Sequence, residues 1–315
     1  MKILVTIPFK ETQKEKIRSA AGENELIFMS GSEVTERIVE DVDIVMGNLP
    51  VPLIKAAKQL KWFQLNSAGA DVYCKPGILK DTTILTNASG AYDISVSEGM
   101  LAGTMAMMRN LYAYYDNQKQ NLWHDEGNTV SPYGATVVVA GLGNIGLSYA
   151  RKMKALGSYI IGIRRHASEV PEGVDEVCTM DQLDECLKRA DVVAAVLPGT
   201  PETEHLFGKE QFELMKNSAF FVNAGRGTSV DTEALCDALE AGELAGAMLD
   251  VTEVEPLPAD SRLWQTKNLF ITPHVTGGFH IPVTLELIAG ICTRNLTHYL
   301  NGEEMESVVN RKLGY

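Results

Sequence analysis

The sequence predicts an α/β protein with parallel sheets that helices cover on both faces. Short apolar runs typical of strands alternate with longer segments typical of helices along most of the chain. One stretch, 135–165, contains a strand, a glycine turn, a helix and a second strand in direct succession. At 315 residues, the chain is long for a single domain and has the length expected of two.

The predicted elements follow one another as a wrapped parallel sheet requires. Before residue 95 we predict strands at 3–7, 26–29, 44–46, 62–65 and 83–86, and helices at 11–21, 33–39 and 51–60. Small residues, methionines and aromatics then predict one long connecting helix over 95–115, and a polar loop covers 117–133. Further strands are predicted at 136–139, 159–163, around 177, and at 191–197, 219–223, 244–249 and 268–272. Helices are predicted from the glycine pattern to 156, at 181–189, 209–215 and 231–241, and from 281 into the C-terminal tail.

The stretch 135–165 carries a specific glycine pattern. Gly141, Gly143 and Gly146 follow a β-branched run and open a helix. Glycines at this spacing let the backbone turn sharply and approach a diphosphate, while free amides and the positive end of the helix face its charge. The pattern alone is weak, but its position between a strand and a helix predicts a dinucleotide site.

The end of the next strand indicates which dinucleotide is preferred. An acid that binds the ribose hydroxyls is expected about 20 residues after the glycines. This strand instead ends in Arg164, Arg165 and His166. A carboxylate would repel a 2′-phosphate, whereas two guanidinium groups can bind one. We therefore predict NADP(H) in preference to NAD(H), the alternative being an ordinary solvated basic turn.

Charge and cysteine content narrow the classes of partner. A net charge of −13 disfavours nucleic acid, and an anionic substrate would need a locally positive cleft. The five cysteines form no CxxC pair or zinc-like cluster. The first apolar run is a strand and not a signal peptide, and the weakly polar stretch 99–108 is too short to span a bilayer. We expect a cytoplasmic protein with reduced thiols and no metal site.

Three side chains with catalytic chemistry follow predicted strands. They are Arg226, Glu255 and His274, and ligands of open α/β sheets bind beyond the carboxyl ends of the strands. Taken singly, each has an ordinary explanation: a salt-bridged arginine, a solvated acid and a histidine bonded to nearby backbone. Together at one edge of a sheet they predict an active site.

Motifs along most of the chain resemble the D-isomer-specific 2-hydroxyacid dehydrogenase family. They occur in the family's order and are specific to the family rather than to a substrate. The matching segments are NSAGAD (66–71), GLGNIG (141–146), ADVV (190–193), LPGTPET (197–203), VNAGRG (222–227), LDV (249–251), EPLP (255–258) and TPH (272–274).

The resemblance implies two doubly wound parallel-sheet domains. A Rossmann cofactor domain, 98–281, would be inserted into a flavodoxin-like substrate domain made of 1–97 and 282–315. It also implies a homodimer held largely by cofactor-domain elements, with a small 2-oxoacid or 2-hydroxyacid as substrate.

The resemblance further assigns roles to individual residues. His274 would exchange a proton with the substrate C2 oxygen, Glu255 would orient the His274 ring and favour its charged form, and Arg226 would bind the substrate carbonyl and carboxylate. Backbone amides of Ala68 and Gly69 would hold that carboxylate. The residues assigned to the cofactor are Gly141, Gly143, Asn144, Ile145, Gly146, Arg164, Arg165, Pro198, Thr203, Ala224 and Asp250.

Several functions remain open at this point. The favoured one is an NADP-preferring reductase of glyoxylate, hydroxypyruvate or a short branched 2-oxoacid, with NAD as a second cofactor. One alternative is a cofactor-responsive binding module like the related C-terminal-binding corepressors. Another is an NAD-linked 3-phosphoglycerate-type enzyme, which Arg164 and a chain ending at Tyr315 disfavour. Formate is disfavoured because Glu255 is an acid and not an amide, and Trp123 and His124 are more simply a surface loop than a contribution to a partner's site.

Overall fold

The computed structural model describes residues 1–166 and 169–314 and divides into two compact units. The first, here the terminal unit, comprises Met1–Tyr92 and Phe279–Tyr315, and the second, the central unit, is Asp93–Gly278. One unit is therefore built from two separate pieces of chain. The assignment of substrate and cofactor to these units stays a prediction.

The elements of the terminal unit include every predicted strand and helix, together with one short helix after β4 that was not predicted. In chain order they are β1 (Lys2–Val5), α1 (Glu11–Ala21), β2 (Glu25–Phe28), α2 (Glu36–Val39), β3 (Ile44–Met46), α3 (Val51–Ala56), β4 (Trp62–Gln64), α4 (Asp71–Cys74) and β5 (Ile84–Thr86), and the last helix of the chain, Pro282–Asn301, also belongs here. All pairs in the sheet are parallel, in the order β2-β1-β3-β4-β5. This is the flavodoxin-like strand order.

The central unit contains the longer sheet. Its elements are α5 (Asp93–Met108), α6 (Leu111–Lys119), β6 (Thr136–Ala140), α7 (Asn144–Ala155), β7 (Tyr159–Arg164), β8 (Glu176–Thr179), α8 (Leu183–Leu187), β9 (Val192–Ala195), α9 (Lys209–Leu214), β10 (Phe220–Asn223), α10 (Thr232–Ala241), β11 (Gly246–Leu249) and β12 (Leu269–Ile271), so Pro282–Asn301 is α11. The seven parallel strands run β12-β11-β10-β9-β6-β7-β8. The order reverses at β6, as in a Rossmann fold, so the predicted fold class is confirmed.

Burial explains why the strands could be recognised. The residues of β3, β9 and β10 are all buried, as expected of parallel strands that helices cover on both faces. In the central unit the rings of Phe207, Phe212 and Phe221 are fully buried, and the ring of Phe221 contacts each of the other two. These rings anchor the segments that lead to the carboxyl ends of the strands.

A hydrogen-bonded network fixes α11 to the sheet of the terminal unit. The fully buried Gln64 accepts bonds at Oε1 from Thr86 Oγ1 (2.8 Å) and Asn295 Nδ2 (2.9 Å). Its Nε2 donates to the carbonyls of Leu65 and Asn87. Because both ends of the amide are paired, the burial of this polar side chain does not leave an unsatisfied group.

The predicted long helix over 95–115 is wrong in one respect. The chain forms two helices, α5 and α6, separated at Arg109 and Asn110. Asn110 has a φ of 53°, a left-handed conformation that asparagine adopts more readily than most residues. The segment contains no proline or glycine at the break, so the residues that usually mark the end of a helix did not predict it.

Two further observations concern membranes and thiols. Along the described parts of the chain, we find no helix with both the length and the apolar character that crossing a bilayer requires. The five cysteines are free thiols, and all but Cys74 are buried.

Candidate active site

The glycine turn between β6 and α7 has the geometry of an anion site. A Cβ at Gly146 would lie 2.0 Å from the carbonyl oxygen of Gly141, so only glycine fits there. Among the described residues, the amides of Gly143 and Ile145 at the start of α7 find no hydrogen-bond acceptor. Such amides at a helix N-terminus can bind a phosphate, so these residues fit the diphosphate of a dinucleotide.

Two guanidinium groups lie at the end of β7, the strand that pairs with β6. Arg164 is the last residue of β7, and its Nη2 donates to the carbonyl oxygen of Leu142 within the glycine turn (3.1 Å). The Nη2 of Arg165 lies 4.0 Å from Glu202 Oε2. The positive charge expected beside a 2′-phosphate therefore lies next to the glycine turn.

The other residues predicted to contact cofactor shape the loops after β9 and β10. The hydroxyl of Thr203 donates to the carbonyl of Pro198 (2.7 Å) and accepts from the amide of Thr200 (3.0 Å). The amide of Ala224 donates to the carbonyl of Ala195 (3.1 Å). Thr203 is thus engaged within its own turn, and the sequence did not indicate this structural role.

The three predicted catalytic residues lie on loops after three adjacent strands. Arg226 follows β10, Glu255 follows β11 and His274 follows β12, and these strands pair in register. Glu255 Oε2 lies 2.7 Å from His274 Nδ1, and Glu255 Oε1 accepts from the amide of Thr252 (3.0 Å). With the side chain of His274 half exposed, this pairing orients the ring and leaves Nε2 to face another molecule.

Asp250 holds the segment that carries His274. Its carboxylate is 3 % exposed and accepts from the Thr272 hydroxyl (2.6 Å) and from the amides of Val275 (3.1 Å) and Thr276 (3.3 Å). Its carbonyl accepts from the amide of His274 (2.8 Å). The assignment of Asp250 to the cofactor stays a prediction, and the structure adds that its carboxylate fixes the histidine segment.

Arg226 is joined to the Glu255 turn, here defined as residues 251–256, through the backbone. A Cβ at Gly227 would lie 2.0 Å from both the carbonyl carbon and the oxygen of Thr252. The half-buried side chain of Arg226 donates from Nη1 to the carbonyl of Gly225 (2.8 Å). The absence of a side chain at Gly227 therefore lets the arginine segment pack directly on the Glu255 turn.

Ala68 and Gly69 lie on the loop after β4 in the terminal unit. Their amides donate to no acceptor in the described ranges 1–166 and 169–314. Their carbonyls accept from Asn87 Nδ2 (2.7 Å) and Ser67 Oγ (2.7 Å), respectively. The loop thus presents amides that can bind a carboxylate. Asn87 is a supporting residue that was not predicted, and the only signal in the sequence was an asparagine directly after a predicted strand.

The arrangement offers a defined chemistry. It combines a carboxylate-oriented imidazole, an arginine and free helix-terminal amides at the carboxyl ends of one Rossmann sheet. Across the described residues, no group of three or more histidine, cysteine or acidic side chains could hold a metal ion. Fold and side chains together define an oxidoreductase that uses a nicotinamide dinucleotide.

Comparison with known proteins identifies the family. The family described as D-isomer specific 2-hydroxyacid dehydrogenase, NAD binding domain, matches residues 101–276. A D-3-phosphoglycerate dehydrogenase of Methanocaldococcus jannaschii is 34 % identical over 98 % of this chain, which spans 59 % of that protein. The chain belongs to the D-isomer specific 2-hydroxyacid dehydrogenase family.

Two other relatives are similar along most of their length. Glyoxylate/hydroxypyruvate reductase B of Enterobacter sp. (strain 638) is 33 % identical over 82 % of this chain and 80 % of its own. The structure of an NADPH-dependent glyoxylate/hydroxypyruvate reductase from Sinorhizobium meliloti, in complex with NADP and sulfate, is 27 % identical with a TM-score of 0.84. That match covers 100 % of this chain and 99 % of the other.

Proposed function

We propose that this protein reduces a small 2-oxoacid to the corresponding 2-hydroxyacid with NADPH. The observation that carries the proposal is the 2.7 Å contact between Glu255 Oε2 and His274 Nδ1, at the same sheet edge as Arg226. An imidazole held in this way can exchange a proton at Nε2.

Each of the proposed catalytic residues has a separate role in the reaction. Bound NADPH supplies the hydride that reaches the substrate C2. His274 donates a proton from Nε2 to the C2 oxygen during reduction and takes it back during oxidation. Proton transfer by a placed group is worth about 10² to 10⁴ in rate. Glu255 keeps the ring oriented, and the Arg226 guanidinium stabilises the negative charge that develops on the carbonyl oxygen.

The substrate carboxylate is assigned to the amides of Ala68 and Gly69. The support is that these two amides have no acceptor within the described chain, while the bonds from Asn87 and Ser67 fix the loop. A small anion suits such a cradle because amide dipoles bind it without burying a fixed positive charge.

The preference for NADPH is supported by Arg164 and Arg165. Arg164 is anchored to the glycine turn, and no acid occupies the end of β7, which reads YIIGIR. The relative from Sinorhizobium meliloti is named as NADPH-dependent and contains NADP. We propose that the protein also uses NAD, in second place to NADP.

A substrate panel with both cofactors tests the proposal. We expect NADPH oxidation with glyoxylate or hydroxypyruvate at a higher kcat/KM than with NADH, and a slower reaction with branched 2-oxoacids. Because the chain is similar to the D-3-phosphoglycerate dehydrogenase named above, 3-phosphoglycerate is the second candidate substrate. Its oxidation is measured with NAD as the cofactor. Cofactor binding without turnover of any 2-oxoacid or 2-hydroxyacid would contradict the proposal and favour a cofactor-responsive binding module.

We further propose that two copies associate through the region 111–133 of the central unit. Several apolar side chains there are exposed, namely Leu111, Tyr115, Leu122, Trp123, Val130 and Tyr133, and exposed apolar patches mark interaction sites. Light scattering is expected to give twice the chain mass of 34.4 kDa, and a monomer at micromolar concentration would contradict this. The free cysteines support a reducing, cytoplasmic location.

A further inference from the structure

The Glu255 turn carries a second acid with different partners. Glu253 Oε1 lies 2.6 Å from His205 Nε2, and Glu253 Oε2 accepts from the amide of Thr232 (3.0 Å), the first residue of α10. One side chain therefore connects the Glu255 turn to the segment before α9 and to the start of α10.

His205 is itself held in place. Its amide donates to the carbonyl of Thr228 (2.8 Å), and the amide of Phe207 donates to the carbonyl of Ser229 (3.0 Å). Phe207 is fully buried. The φ of His205 is 48°, a left-handed conformation that is uncommon for a residue with a side chain. The imidazole thus projects from a fixed segment next to the Arg226 loop.

The Glu255 turn has little apolar anchoring of its own at its tip. Val254 is 59 % exposed, and Glu255 is also exposed. Thr252 contributes a backbone contact with Gly227 and donates its amide to Glu255 Oε1. Since exposed turns are mobile unless polar contacts fix them, the contacts of Glu253 are well placed to set the position of Glu255.

We propose that His205 and Glu253 form a positioning pair that fixes the Glu255 turn and so keeps the Glu255 carboxylate against His274. The inference rests on the proposed function only for its expected effect on kcat, because the contacts of His205 and Glu253 are present whichever reaction the protein catalyses. Residues that support a catalytic group in this way affect rate through geometry, without touching substrate.

The charges of the pair agree with this role. The hydrogen bond to Glu253 raises the pKa of His205, and the nearby acids Asp231 and Glu204 add to that effect. Burial acts to raise the pKa of Glu253, but the hydrogen bonds from Thr232 and His205 outweigh burial and hold that pKa below its usual range. The pair is therefore ionic between the lowered pKa of Glu253 and the raised pKa of His205, and it weakens as pH rises through the pKa of His205.

The test combines kinetics with hydrogen exchange in the full-length protein. We expect His205→Gln and Glu253→Gln each to lower kcat roughly five-fold, with KM for the 2-oxoacid and the Kd of NADPH changed less than about two-fold. His205→Arg should restore kcat and remove the part of its pH dependence that His205 contributes. The amide of Thr232 should exchange faster in Glu253→Gln, and that of Thr252 faster in both Gln variants.

Two comparisons separate positioning from a general effect on stability. In a Glu255→Gln background, His205→Gln should have no further effect on kcat, because the pair acts through Glu255. Glu303→Gln, which alters an acid near His298 on another element, should change neither kcat nor the Thr252 exchange rate. Unchanged kcat and unchanged Thr252 exchange in His205→Gln would overturn the inference while leaving the proposed function intact. If the parent protein turned over no 2-oxoacid, the proposed function would fail, and the Thr252 exchange alone would decide the inference.

Discussion

His274 combines an unfavourable backbone with several local bonds. Its φ of 51° costs a residue with a side chain about 1 kcal/mol. The bonds from the 272–276 segment to Asp250 offset that cost and fix the backbone from which the His274 ring extends. Glu255 then sets the direction of the ring at Nδ1. Strain of this kind at a polar, half-exposed side chain is typical of a functional site.

Replacing His274 by glutamine should separate chemistry from binding. We expect kcat to fall by about 10² or more because His274 is the proposed proton donor, with the Kd of NADPH unchanged in a fluorescence titration. His298→Gln, on α11 and outside the proposed site, is the matched control and should keep kcat. A His274→Gln enzyme with near-normal kcat would remove His274 from the proposed mechanism.

The two arginines at the end of β7 lead to a prediction about which cofactor binds more tightly. In Arg164→Asp with Arg165→Ala, the Kd of NADPH should rise at least about ten-fold while that of NADH stays within about two-fold, because only NADPH carries the 2′-phosphate. Lys209→Glu with Lys188→Ala, at two exposed lysines elsewhere, changes the net charge by the same amount and is the control. Equal weakening of both cofactors would contradict a role in binding the 2′-phosphate.

Strands, helices and the glycine turn were predictable because their causes are local. Apolar runs bounded by turns gave β3 and β10, and Asp231 and Gly242 marked the two ends of α10: the Asp231 side chain accepts from the amide of Ala234, and Gly242 is left-handed. The break at Asn110 was not predictable, because asparagine permits a left-handed residue without requiring one.

The supporting contacts of the site were harder to predict than its principal residues. Glu253 and Glu255 are both acids in one short segment of an acidic chain, and nothing local distinguishes the acid that meets His274 from the one that meets His205. That difference depends on the direction of each side chain, which the packing of Gly227 on Thr252 helps to set. The same holds for Asn87, whose partner Ala68 lies on a neighbouring loop.

A buried amide in α11, that of Asn295, donates to the side chain of Gln64 in the sheet. Asn295→Leu would leave Gln64 Oε1 without one donor and the amide of Glu306 without its acceptor. We expect the free energy of unfolding to fall by about 2–4 kcal/mol, measured by urea denaturation. Asn301→Leu, at the end of the same helix, should change it by less than about 0.5 kcal/mol. Equal effects of the two variants would argue against the network.

Acid stability should reflect two paired carboxylates, one in each unit. Bonds from Arg189 lower the pKa of Glu176, and bonds from Arg294 lower that of Glu306. A pKa that is lower in the folded than in the unfolded state stabilises the fold above the unfolded value, about 4.3 for glutamate. That contribution is lost as pH falls through the lower, folded-state pKa.

The melting temperature should therefore fall steeply below about pH 4 and be nearly constant between neutral pH and about pH 5. In Glu176→Gln with Glu306→Gln, the decline should be shallower, because these two groups no longer take up protons on unfolding. Differential scanning calorimetry from pH 3 to 8 measures this. Identical pH profiles for parent and variant would assign the acid sensitivity to other groups.

The division of the terminal unit into two pieces of chain has a consequence for biosynthesis. A ribosome makes β1 to β5 first and α11 last, with the whole of 93–278 in between. Until α11 emerges, Gln64 has no Asn295 to pair with, and the face of the sheet that α11 covers stays open to water. The nascent protein must therefore keep an incomplete first sheet in solution while the second one forms.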